Sequence, residues 1–154
     1  MESFAALMKE YKKQLNKGVI PRAYQGLMAY ISSLRTYLSC EYPECYVSSL
    51  YQGYLDMTYF SFVPDAFKEK QLKPAVVFIH ETCRFEAWLA AYNKKVQAKY
   101  WQFFNDMGFE QYPILTSIKD GDAILQCTLA ADPVFCHLEA LTTIIETGML
   151  RFID

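Results

Sequence analysis

The chain has 154 residues, of which 53% are hydrophobic and 21% charged, and a formal net charge of −2. Disordered chains are poor in aromatics and rich in charge, so this composition excludes one. The near balance of 15 basic and 17 acidic residues gives neither the electrostatic footprint of a nucleic-acid binder nor a polybasic membrane signal. The length is that of one domain, residues 1–154, and is enough for a core that needs no metal or disulfide.

Glu2, Lys9 and Glu10 interrupt the apolar residues that an export signal would keep together. The longest apolar runs, Ala75–Ile79 and Ala87–Tyr92, are far too short to span a membrane. Cysteines 40, 45, 83, 127 and 136 are odd in number. Without an export signal, reduced thiols and a cytoplasmic location are expected.

In chain order, Phe4, Leu7, Met8, Tyr11 and Leu15 recur at helical spacing and predict a helix over Glu2–Asn16, stopped by Gly18. A second helix opens at Pro21, carries Tyr24, Leu27, Met28, Ile31, Leu34 and Leu38 on one stripe, and ends before Pro43. Tyr54–Val63 is rich in aromatic and β-branched residues and reads as a strand. Pro64–Lys73 is a polar connection with room for a helical turn at Phe67. Ala75–His80 is apolar on both faces, which suits a central strand. Cys83–Asp106 reads as a long helix with Phe85, Trp88, Leu89, Tyr92 and Val96 inward. Phe85, Ala87 and Leu89 also alternate, which leaves a strand over Arg84–Leu89, pairing back on the one before it, as the alternative. After a turn at Asp120-Gly121-Asp122, Ala123–Leu129 forms a strand. Asp132 and Pro133 then open a last helix, ended by Gly148, with a short extended tail over Met149–Ile153.

The expected fold is α+β: a small mixed sheet of about three strands packed by four helices, in the order α-α-β-β-α-β-α. The first two strands can pair antiparallel and the third can join through a right-handed parallel crossover, but the sequence does not fix the strand order.

Three stretches are similar to a known family: Tyr51–Phe60, Val77–Glu81 leading into Arg84–Leu89, and the ending around Leu141-Thr142 and Ile145-Glu146. Together they resemble a bacterial family of about this length known as a domain of unknown function. The resemblance spans nearly the whole chain. It implies a bacterial cytoplasmic protein, and no activity, cofactor or catalytic residue.

Candidate chemistry centres on His80–Trp88. His80-Glu81-Thr82-Cys83-Arg84 places arginine where a zinc protease has its second histidine, and a guanidinium cannot bind a metal. Arg84 in the first turn of a helix faces an unfavourable dipole unless an anion sits there, held by the helix N–H groups and the guanidinium fork. His80, Asp56, Tyr54, Glu81 and Trp88 are placed to line such a site. The structural alternative is an ion pair between Arg84 and a domain carboxylate. Cys83 with His80 and Asp56 has the residue types of a nucleophilic arrangement but no motif. Cys40 and Cys45 lack the second pair that a zinc site needs, so no metal or cofactor is expected. The tyrosines, and Trp101 beside Tyr100, suit a ligand pocket or a homodimer contact.

These residues point to a binding domain for a small anionic ligand or a protein partner. An enzyme using His80, Asp56 and Arg84, and a self-associating structural protein, are the alternatives. Neither nucleic acid nor membrane is an expected partner.

Overall fold

Among the described residues, five strands pair in the order in which they occur in the chain, each antiparallel to the one before. They are β1 (Tyr46–Val47), β2 (Met57–Val63), β3 (Leu72–Ile79), β4 (Arg84–Ala91) and β5 (Ala123–Ala130). Five helices accompany them among the described residues: α1 (Phe4–Asn16), α2 (Val19–Glu41), α3 (Asp65–Glu69), α4 (Lys94–Asp106) and α5 (Leu138–Ile153). The computed structural model describes residues 3–108 and 123–153, so the turn expected at Asp120–Asp122 lies outside the described residues. The described chain divides into two compact units, Met1–Leu34 and Arg35–Asp154. The second holds the whole sheet with α3, α4 and α5. None of the described helices is long and apolar enough to cross a membrane.

The α+β class stands, but three strands and four helices undercount the elements, and the sheet is antiparallel rather than mixed. The main correction falls on the long helix expected over Cys83–Asp106. Its first part is β4, which pairs residue for residue with β3 from Leu72↔Ala91 to Ile79↔Arg84. Phe85, Ala87 and Leu89 are buried on one face, and Glu86 is buried on the other. A strand covered on both faces carries apolar residues at helical spacing as well as at period two. That is why Phe85, Trp88, Leu89 and Tyr92 mimic a helical stripe. Asn93 then caps α4, its side-chain oxygen accepting from the Val96 N–H at 2.9 Å. Because β4 reverses the chain before α4, β5 returns antiparallel, and the expected parallel crossover does not form.

Directly opposed residues share a sheet face. Phe60, Val76, Ala87 and Cys127 form one such row, and Ser61, Ala75, Trp88 and Gln126 another on the opposite face. The Phe60 face is the core face. Phe60, Phe62, Phe78, Phe85 and Leu125 are buried on it. α5 packs on β4 and β5, and brings in Leu141, Ile145, Met149 and Phe152.

α5 also differs from expectation. It starts at Leu138, not at Asp132-Pro133, and runs through Gly148 to Ile153. Gly148 therefore stops nothing, and the expected extended tail is helical. The stripe Leu141, Ile145, Met149, Phe152 continues past the glycine, and its burial outweighs the roughly 1 kcal/mol helical penalty of glycine. A Cβ at Gly148 would lie 2.8 Å from Leu129 Cδ2, so the missing side chain lets the helix approach β5.

Candidate functional site

On the face opposite the core, strand alternation places Tyr59 and Ser61 of β2, Lys73, Ala75 and Val77 of β3, and Trp88 and Ala90 of β4. Ser61 opposes Ala75, and Ala90 opposes Lys73. Small side chains in the middle of the sheet leave a hollow between the larger aromatic ones. α4 packs on β4 and β5 and adds Lys94 and Gln97 to its wall. The result is a cleft of about 250 Å³ floored by the sheet and walled by Tyr59, Trp88 and Tyr92. It adjoins a second hollow of about 640 Å³, which shares Tyr59, Ser61, Lys73 and Tyr92 and adds Tyr46, Tyr51 and Lys68 among others.

The charges here are of one sign. Lys68, Lys73 and Lys94 line the two hollows, and no carboxylate does so among the described residues. Lys73 Nζ lies 5.6 Å from the centre of the Tyr92 ring, within reach of the ring's negative face. The Tyr51 and Tyr59 rings stack at 4.9 Å, tilted by 38°. Trp88 is fixed from behind. Its indole N–H donates to Glu86 Oε1 at 2.8 Å, and Arg84 donates to Glu86 Oε2 through Nε and Nη2, both at 2.9 Å. Arg84, Glu86 and Trp88 alternate along β4 and so project from the same face.

Of the six residues that the sequence singles out, Trp88 lines the cleft and Arg84 stands behind it. With β4 in place of a helix start, the dipole argument for an anion at Arg84 falls away; Glu86 supplies the guanidinium's negative partner. His80, Asp56, Tyr54 and Glu81 lie elsewhere. His80 follows β3 on the core side, its ring edge-on to Phe78 at 5.0 Å. Thr58 Oγ1 donates to the Gln52 carbonyl at 2.7 Å, so it accepts from His80 Nε2–H at 2.8 Å. Burial holds His80 below its ordinary value of 6.5, with the charge of Asp56 opposing.

Asp56 precedes β2 and does not alternate with Tyr54 and Thr58 as a strand would require. Gly53 (φ +75°) and Leu55 (φ +66°) bend the chain there. The Asp56 carboxylate accepts the Tyr54 N–H at 2.8 Å. Bonds from the backbone N–H groups of Tyr54 and Met57 favour the ionised carboxylate and hold its pKa below the usual carboxylate value. Tyr54 itself is 88% exposed. Glu81 is exposed in the β3–β4 turn. Cys83 closes that turn at φ +52°, and its thiol faces the His80 carbonyl at 3.4 Å rather than the imidazole. Among the described residues no group of three or more His, Cys, Asp or Glu is arranged to hold a metal ion.

With this geometry in view, the comparison with known families is specific. Residues 4–154 match the family described as a domain of unknown function (DUF7000). The chain belongs to this family. No curated protein and no solved structure matches it. In this DUF7000 member the cleft residues that sequence reasoning missed are Ser61, Lys73, Lys94 and Gln97, while Tyr59 and Tyr92 are among the tyrosines whose residue type suits a ligand pocket. The available signal was period two in Tyr59-Phe60-Ser61 and Lys73-Pro74-Ala75. It sets a polar or small residue on one face of strands that are otherwise apolar.

Proposed function

We propose that the chain is a cytoplasmic binding domain that takes a small anionic molecule with a planar body into the cleft on the open sheet face. The observation that supports this reading is the lining: aromatic walls from Tyr59, Trp88 and Tyr92, a floor of small side chains, and lysines without a carboxylate among the described residues. Ligand sites are typically concave, mostly apolar and aromatic, with a few polar groups that orient the ligand. The adjoining hollow extends the volume into the range of a metabolite site. Lys73 is the central cation, because it borders both hollows.

The test is a thermal-shift and calorimetry series with aromatic carboxylates and aryl phosphates, each paired with its uncharged amide or alcohol. Acids are expected to stabilise the protein, and the neutral partners to do so at least about tenfold more weakly, as one charge-assisted contact implies. Lys73→Ala should remove that preference, and Ala90→Trp should block both. Equal responses from acid and amide, or an undiminished response in Ala90→Trp, would refute the assignment.

A further inference from the structure

The nearly balanced charge of the chain is unevenly spread. From Met1 to Cys40 six basic residues stand against two acids, Glu2 and Glu10, whereas from Glu41 onward fifteen acids stand against nine bases. The basic share is concentrated at Lys9, Lys12, Lys13, Lys17 and Arg22, on and just after α1. The same helix carries an apolar stripe. Phe4, Leu7, Met8 and Tyr11 follow 3.6-residue spacing, and Lys9 and Lys13 project from the far side, with Lys12 at the margin. No residue of α1 is buried. Phe4 is 77% exposed, and Leu7, Met8 and Tyr11 are exposed with it. The helix is well formed nonetheless, since Ser3 Oγ accepts the Ala6 N–H at 3.1 Å and closes its first turn.

We propose that α1 lies on an anionic lipid surface, its apolar stripe among the acyl chains and its lysines against the headgroups. A helix with a strong apolar face and a lysine-rich opposite face is built for that plane. Lys12, at the margin of the stripe, can lay its methylenes on the apolar boundary and extend its ammonium to phosphate. Tyr11 adds a ring of the kind that sits at headgroup depth. A second copy of the chain fits the stripe less well. Thirteen residues make a helix about 20 Å long and 10 Å wide, a footprint of about 200 Å², against the roughly 800 Å² per partner of a stable interface. A lipid surface imposes no such minimum, and the local excess of lysine matches its sign.

The test is co-sedimentation of the full chain with phosphatidylcholine vesicles, with and without phosphatidylserine. Binding is expected only with phosphatidylserine, and should fall as ionic strength rises. Met8→Glu, and separately Lys12→Glu with Lys13→Glu, should each weaken it by at least about tenfold. All three positions are exposed, so unchanged circular dichroism and melting temperature will show the fold intact. Equal binding to neutral vesicles, or no binding to phosphatidylserine vesicles, would overturn the proposal. So would sedimentation equilibrium showing a dimer in wild type that Met8→Glu converts to monomer.

Discussion

Trp88 and Glu86 are bonded along one strand, the indole N–H reaching the carboxylate at 2.8 Å. Glu86 is buried, its side chain 8% exposed, while the Arg84 side chain that neutralises it is 40% exposed. The three residues form one line along the strand, from a solvated cation through a buried anion to the aromatic wall of the cleft. The arrangement turns a buried charge, costly when unpaired, into a brace for a ring.

Removing the middle of that line should be worst. Glu86→Ala leaves the indole N–H without its acceptor, so we expect a loss of about 1–3 kcal/mol. Arg84→Ala leaves a buried carboxylate with one fewer donor group, but solvent reaches the guanidinium side, and the loss should be nearer 1 kcal/mol. Glu86→Gln keeps an acceptor for Trp88 and should cost least. Urea denaturation of the three variants checks the order.

His80 makes stability depend on pH. Its folded value lies below its ordinary 6.5 because burial disfavours the imidazolium. The unfolded chain therefore binds the proton more readily. This contribution is complete above pH 6.5 and is lost as the pH falls from there through the lowered folded value. Asp56 acts in the same direction at lower pH: its folded value is below 3.8, so its contribution is lost as pH falls from there through the folded value. His80→Gln should flatten the melting-temperature profile just below pH 6.5 and leave the more acidic limb in place. An unchanged profile in that variant would remove His80 as the cause.

Tyr37 of α2 and Tyr42, the residue just past its end, share one carboxylate on α5. Tyr42 donates to Glu146 Oε2 at 2.6 Å and Tyr37 to Oε1 at 3.0 Å. The bond to Glu146 pushes Tyr42 up to about 12. A raised phenol stabilises the fold below its ordinary value of 10, and the effect is lost as the pH rises through 12. Tyr42→Phe keeps the edge-on contact with Phe62 at 5.5 Å and should cost about 1 kcal/mol at neutral pH. The pair Tyr37→Phe with Tyr42→Phe should differ from the sum of the single changes, because both act on Glu146. A double-mutant cycle by chemical denaturation measures the coupling.

Gly53 is required by its backbone. Its φ of +75° strains any L residue, and a Cβ there would collide with the Met57 carbonyl oxygen and approach Asp56 Oδ1 to 2.8 Å. Gly53→Ala should therefore destabilise by about 1–3 kcal/mol and loosen the loop that precedes β2. Faster hydrogen exchange at the Tyr54 amide, which Asp56 now protects, would report it. By contrast Gly26, which has open space around it inside α2, should gain up to about 1 kcal/mol when changed to alanine.

Much of the fold was legible wherever one pattern had one reading. The stripe of α2, the doubly apolar β3 at the centre of the sheet, the strand at Ala123 and the helical turn near Phe67 all follow from local spacing and stand in the structure. The site was less legible. Trp88 was singled out for its position near a supposed helix start, yet it lines a cleft for a different reason: alternation along β4. Lys73 and Ser61 drew no attention, because a polar residue in an apolar strand signifies nothing until its neighbours across the strands are known.

The sequence by itself determined the α+β class and the boundaries of its strongest elements, since these rest on composition and on contacts a few residues apart; the family followed from likeness over residues 4–154. Only the tertiary structure decided whether Arg84–Ala91 is helix or strand, whether Gly148 ends a helix or lets one approach a sheet, and which face of the sheet stays open. The physical reason is the same in each case. Burial depends on what lies across the sheet, and a segment covered on both sides carries no local record of its period.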